Sequence, residues 1–80
     1  MKKMIVAYVN VFDNELHQFI VEANTWKEAL IKCLNLLAED KSQKIFDENA
    51  ECVNSLPDDI EEAKAAFFDQ DQLFSVLEIG

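Results

Sequence analysis

From Met4 to Phe12 the chain reads MIVAYVNVF, a run of β-branched and aromatic residues interrupted only by Asn10. So little polarity predicts a strand covered on both faces. Glu15 to Glu22, ELHQFIVE, predicts a second strand. Asp13-Asn14 between them suits a two-residue hairpin turn, because both residue types tolerate left-handed backbone. That turn pairs Phe12 with Glu15, Tyr8 with Phe19 and Val6 with Val21. One face then carries Ile5, Ala7, Val9, Val11, Leu16 and Ile20. The other carries Val6, Tyr8, Phe19 and Val21, diluted by Asn10, Glu15 and His17. The first is the expected core face, with the second partly covered.

The pattern then changes period. Thr25 and Glu28 have the spacing of a capping box, which stops the second strand and starts a helix running to about Asp40. Trp26, Leu30, Cys33 and Leu37 lie together at 100° per residue, flanked by Leu34 on one side and by Ala29 and Leu36 on the other. Ile31 and Ala38 widen the arc beyond half the circumference, more than one sheet face requires. Residues 41–56 are less regular, although Phe46, Ala50 and Val53 recur at helical spacing and predict a short helix. Pro57 punctuates, and Asp58 with Glu61 repeats the capping logic for a helix to about Gln70. Its inner face is Ile60, Ala63 and Phe67, while Phe68 points elsewhere. Leu73 to Ile79, LFSVLEI, predicts a closing strand.

These elements make one α+β domain over residues 1–80: a β-hairpin, two to three helices and a C-terminal strand, forming a mainly antiparallel three-stranded sheet with helices on one face. Half of the residues are apolar, which excludes a disordered chain despite a net charge of −9. Met1-Lys2-Lys3 before an apolar run has the start of a signal peptide. Asn10 and Asp13 break that run, and no small-residue cleavage site follows. No stretch approaches the ~20 apolar residues of a membrane span. Cys33 and Cys52 form no C-x-x-C and no disulfide framework, so a reducing cytoplasm is the expected setting.

Charge is unevenly placed. Residues 1–38 hold four acids and four lysines, whereas residues 39–71 hold eleven acids and only Lys41, Lys44 and Lys64. An acidic surface keeps an apolar chain soluble, and it also steers toward basic partners. Direct nucleic-acid binding is not expected, because there is no arginine and no basic cluster to meet phosphates.

Catalytic chemistry is sparse. His17 is the only histidine, Ser42, Ser55 and Ser75 lie in no nucleophile context, and Asp69-x-Asp71 lacks the glycine and glutamate of a calcium loop. His17 with two cysteines is too small a set for structural zinc. No enzyme activity, cofactor or metal is expected.

A β-hairpin followed by a capped helix, in a short acidic chain, resembles many small proteins of phages and mobile elements, among them inhibitors of host defence nucleases. The likeness covers composition and layout. The expected function is a non-catalytic protein-binding module, an inhibitor or accessory protein. Its acidic half would dock on a basic, nucleic-acid-processing protein as a nucleic-acid mimic, through Asp47, Glu48, Glu51, Asp58, Asp59, Glu61 and Glu62. The alternative is a homodimeric accessory protein joined through Trp26, Leu34, Leu36 or Phe68, or through the Val6–Tyr8 sheet face, with the acids serving solubility.

Overall fold

The computed structural model describes residues 1–80 as β1 (Lys2–Asn10), β2 (Glu15–Ala23), α1 (Trp26–Leu37), α2 (Gln43–Asn54), α3 (Ile60–Phe68) and β3 (Gln72–Glu78). The strands form one antiparallel sheet in the order β2-β1-β3. The α+β architecture expected from the pattern is the one observed, and the less regular 41–56 segment holds a full helix.

The hairpin differs from the expected one. Its connection spans residues 11–14, so Tyr8 faces His17, Val6 faces Phe19 and Met4 faces Val21. Asn10 causes this. Its carbonyl accepts from the backbone N–H of Asp13 (3.1 Å) and of Asn14 (3.0 Å), and its side-chain Oδ1 accepts from Phe12 N–H (2.9 Å). Only Asn14 is left-handed, at φ 53°, whereas a type I′ two-residue turn needs two such residues. The register moves by two residues, and each side chain therefore keeps its predicted face.

The choice of core face is reversed. Met4, Val6 and Tyr8 of β1, Val21 and Ala23 of β2, and Phe74 of β3 are buried beneath the helices. Leu16 and Ile20 stand in solvent, and Ile5, Ala7 and Val9 are only half-buried. The reason is bulk. Tyr8, Phe19 and Phe74 lie on one side of the sheet, and each aromatic ring removes about 150–250 Å² from water when buried. The helices present small residues to that side: Ala29 and Cys33 from α1 and Ala63 from α3, all fully buried. There Tyr8 and Phe74 meet the helical rings Phe67 and Trp26, while the small buried residues let the helices approach the sheet closely.

Thr25 caps α1 by accepting from Glu28 N–H (3.2 Å), as expected, but Glu28 returns to the N–H of Asn24 (3.1 Å) and not to that of Thr25. The helix ends at Leu37, before Asp40. Lys41 Nζ donates to the carbonyls of Asn35 (2.9 Å) and Leu36 (2.6 Å), satisfying two of the acceptors a helix end leaves open. Ser42 caps α2, which packs chiefly on α1 and drives Val53 into the core. The cap of α3 is Asp59, one residue later than expected, accepting from Glu61 N–H at 2.9 Å. Ala63 and Phe67 point inward and Phe68 outward, as the spacing predicts.

A line of aromatic contacts joins these elements. Trp26 stacks on Phe74 (5.6 Å between centroids, 16° between planes), Phe74 meets Phe67 edge-on (5.2 Å), and Phe67 leans on Tyr8 (6.2 Å). Beside them the first turn of α1 holds the α2–α3 connection. Trp26 Nε1 donates to the Asp58 carbonyl at 3.2 Å, and Lys27 Nζ donates to the Leu56 carbonyl at 2.7 Å and pairs with Asp58 Oδ1 at 3.0 Å. The Lys27 side chain is largely covered, while that of Asp58 is fully exposed. The bond to the carbonyl therefore contributes more than the ion pair, which water screens.

Two consequences are measurable by urea unfolding followed by circular dichroism. Phe67→Ala should cost about 3–5 kcal/mol, a large share of the ~4–12 kcal/mol expected for eighty residues, and move the urea midpoint sharply down. Lys27→Met should cost about 1–2 kcal/mol through the lost carbonyl contact, whereas Asp58→Asn should leave the midpoint where it was.

Candidate interaction surfaces

Asp47, Glu48 and Glu51 project from α2, Asp58 and Asp59 precede α3, and Glu61 and Glu62 occupy its first turn; all seven are exposed. Few have local partners. Asp58 pairs with Lys27, Glu61 pairs with Lys64 at 3.6 Å, Asp59 caps α3, and Asp47 accepts from Gln43 Nε2 at 2.8 Å. Glu48, Glu51 and Glu62 form neither ion pair nor side-chain hydrogen bond.

Helix electrostatics account for only part of this charge. Asp59, Glu61 and Glu62 sit at the N-terminus of α3, where the dipole favours anions. In α2 the first turn holds no acid, and Glu51 lies in the last turn with no basic residue to offset it. There the dipole opposes negative charge. Helix stability accounts for Asp47, through its bond from Gln43, but not for Glu48 and Glu51.

The apolar candidates divide. Trp26 is engaged in the stack on Phe74, and Leu34 is half-buried against the core. Leu36 and Phe68 are more than half exposed, on α1 and α3 respectively. Leu36 borders a hollow of about 450 Å³ with Val21, Phe46 and the two lysines Lys32 and Lys41.

A larger apolar surface lies on the far side of the sheet. Of the ten large hydrophobic side chains that are exposed, Val11, Leu16, Ile20, Leu73, Leu77 and Ile79 all belong to or border the uncovered face. The sequence carried a signal for it: two apolar sheet faces, and helices enough to cover one.

His17 is half-buried at the rim of an open groove of about 550 Å³ between the hairpin and the C-terminal end of α1, with Tyr8, Leu34, Leu37 and Asp40 among its walls. No serine, threonine, cysteine or lysine lines it. His17 Nε2 lies 3.9 Å from Glu15 Oε2, an exposed contact. No three His, Cys, Asp or Glu side chains converge closely enough to hold a metal ion, and no helix is long and apolar enough to cross a membrane. Comparison with family models, curated proteins and solved structures gives no match.

The two thiols are unequal. Cys33 is fully buried and burial pushes its pKa up to about 11, whereas Cys52 is half-buried on α2. Burial also raises the Tyr8 phenol, whose O–H donates to Gln72 Oε1 at 2.6 Å. In both groups the fold favours the neutral form. For Cys33 that stabilisation is intact below about pH 9 and is lost as pH climbs through about 11. Urea midpoints measured from pH 7 upward should stay level and then fall above about pH 9. At pH 8 a thiol reagent should modify Cys52 first, and Cys33 only after denaturant is added.

Proposed function

We propose that this chain is a non-catalytic protein-binding module that uses its acidic helical side to dock on a basic surface of a protein that handles nucleic acid. The observation that carries this reading is the set of solvent-facing carboxylates on α2, led by Glu48 and Glu51, which have no cation partner and gain nothing from their place in the helix. Unneutralised like charges on one rigid element raise the local potential, which accelerates encounter with a basic partner and disfavours acidic ones. The acids at the start of α3 extend the same sign beyond the α2–α3 connection. A row of carboxylates on a helix offers oxygen acceptors in the role that phosphate oxygens play for a basic nucleic-acid-binding groove. Occupying that groove requires no chemistry from this chain.

The test compares the natural chain with the variant D47N/E48Q/E51Q/E62Q. None of these four side chains forms an ion pair, so the variant should keep its circular dichroism, with the loss of the Glu62 charge at the start of α3 costing no more than about 1 kcal/mol. Both are immobilised in lysate from the native host. The natural chain should retain a basic nucleic-acid-binding protein that a salt gradient releases and that added duplex DNA or RNA displaces. The variant should retain at least about tenfold less of it, equivalent to ~1.4 kcal/mol. Equal retention by both chains, or a partner indifferent to salt, would defeat the proposal.

A further inference from the structure

The uncovered face of the sheet has a definite relief. One row across the strands is Ile20–Ile5–Leu77 and another is Leu16–Val9–Leu73. Between them runs Gln18–Ala7–Ser75, in which Ala7 and Ser75 are small. The result is a pair of apolar ridges with a furrow between them. At one end the relief deepens into an apolar hollow of about 190 Å³ bordered by Ala7, Val9, Leu16, Leu73 and Ser75, wide enough for a branched aliphatic side chain.

Charge is absent where the relief is greatest. Lys3 and Glu22 face each other at one end and cancel, Asp71 lies beyond the other, and nothing between them ionises. In a chain of net charge −9, this is a surface on which a second, equally acidic copy meets no like charge at the contact itself. The helical layer lies on the opposite side of a molecule 24 Å across its shortest axis. Two copies meeting sheet to sheet thus hold their acidic sides apart by more than the ~8 Å over which salt screens charge at physiological strength.

We propose that this face is the interface with a second copy of this chain, the two sheets stacking about a two-fold axis with a ridge of each seated in the furrow of the other. A two-fold interface requires one patch to complement itself, and this patch supplies both the ridge and its receptacle. Sheets stacked in this way lie about 10 Å apart, at a strand angle near 30° or near 90°. Three strands of seven or so residues cover ~14 × 23 Å in plan. That is roughly 320 Å² in plan per copy before side-chain relief is counted, which places the contact below the ~800 Å² of a standard stable interface and in the range of a weak dimer. The inference is independent of what the acidic side binds.

Sedimentation equilibrium at ~100 µM, where a functional dimer should be populated, tests it on the full chain. The natural protein should sediment at twice its 9.2 kDa monomer mass. Ile20 and Leu77 are both more than 60% exposed on the outer strands, so I20K/L77K should leave the circular dichroism intact and raise the dimer dissociation constant at least ~100-fold. The control L36K/F68K, on the helical side, should remain dimeric. A monomeric natural chain overturns the proposal. So does a dimer that survives I20K/L77K, or one that L36K/F68K abolishes. A natural chain that is monomeric alone but holds a different protein, lost in I20K/L77K, assigns the face to that protein and overturns self-association.

Discussion

Phe74 lies between Trp26 and Phe67, flat against one ring and edge-on to the other, and the closure of the sheet depends on that contact. β3 returns to β1 only after three helices have intervened, and ordering so long a connection is costly before any pairing begins to offset it. The stack supplies the specific gain at the point of return. It joins the first turn of α1, the last turn of α3 and the middle of β3 at one place. Lys27 and the Trp26 indole then tether the α2–α3 connection to the same turn. The capped start of α1 therefore does more than begin a helix: it gathers the chain's distant parts.

That arrangement leaves a core of thirteen residues, which is small for a chain half apolar by composition. The surplus is not scattered. It collects on the second face of the sheet, while the charge collects on the helices over the first. Two chemically opposite surfaces on opposite sides of one molecule suit two independent contacts, one electrostatic and one hydrophobic. If both are used, paired copies would present two acidic sides facing outward, and a partner with repeated basic sites would be held by both at once.

Much of the fold was legible in the sequence. The hairpin, the Thr25 cap, the inward face of α3 and the closing strand follow from period and capping chemistry alone. The hairpin register did not, because Asn10 diverts three backbone N–H groups that a two-residue turn would have arranged otherwise, a local competition that Asp13-Asn14 does not reveal. The buried sheet face was misjudged for a different reason. Counting apolar positions favours Ile5, Val9 and Ile20, but the helices cover the side where Tyr8 and Phe74 meet Phe67 and Trp26. Complementarity across two elements is not visible in either element's own pattern. The acidic candidates could be read directly, since charged residues in helices are seldom buried. Trp26 and Leu34 could not be told from their exposed neighbour Leu36, because an apolar arc wider than half a helix does not say which flank is spare.

The strand order β2-β1-β3 also leaves two edges. Along the outer side of β2 and of β3, alternate backbone N–H and C=O groups point away from the sheet with no strand to receive them, and β2 has no proline or lysine to discourage another strand from docking. Edge pairing together with face stacking is the growth pattern of a fibril. What opposes it is long-range: every copy added to such an array brings nine more uncompensated negative charges. The acidity thus acts as a colloidal brake, and near the isoelectric point of about 4.3 that brake is released.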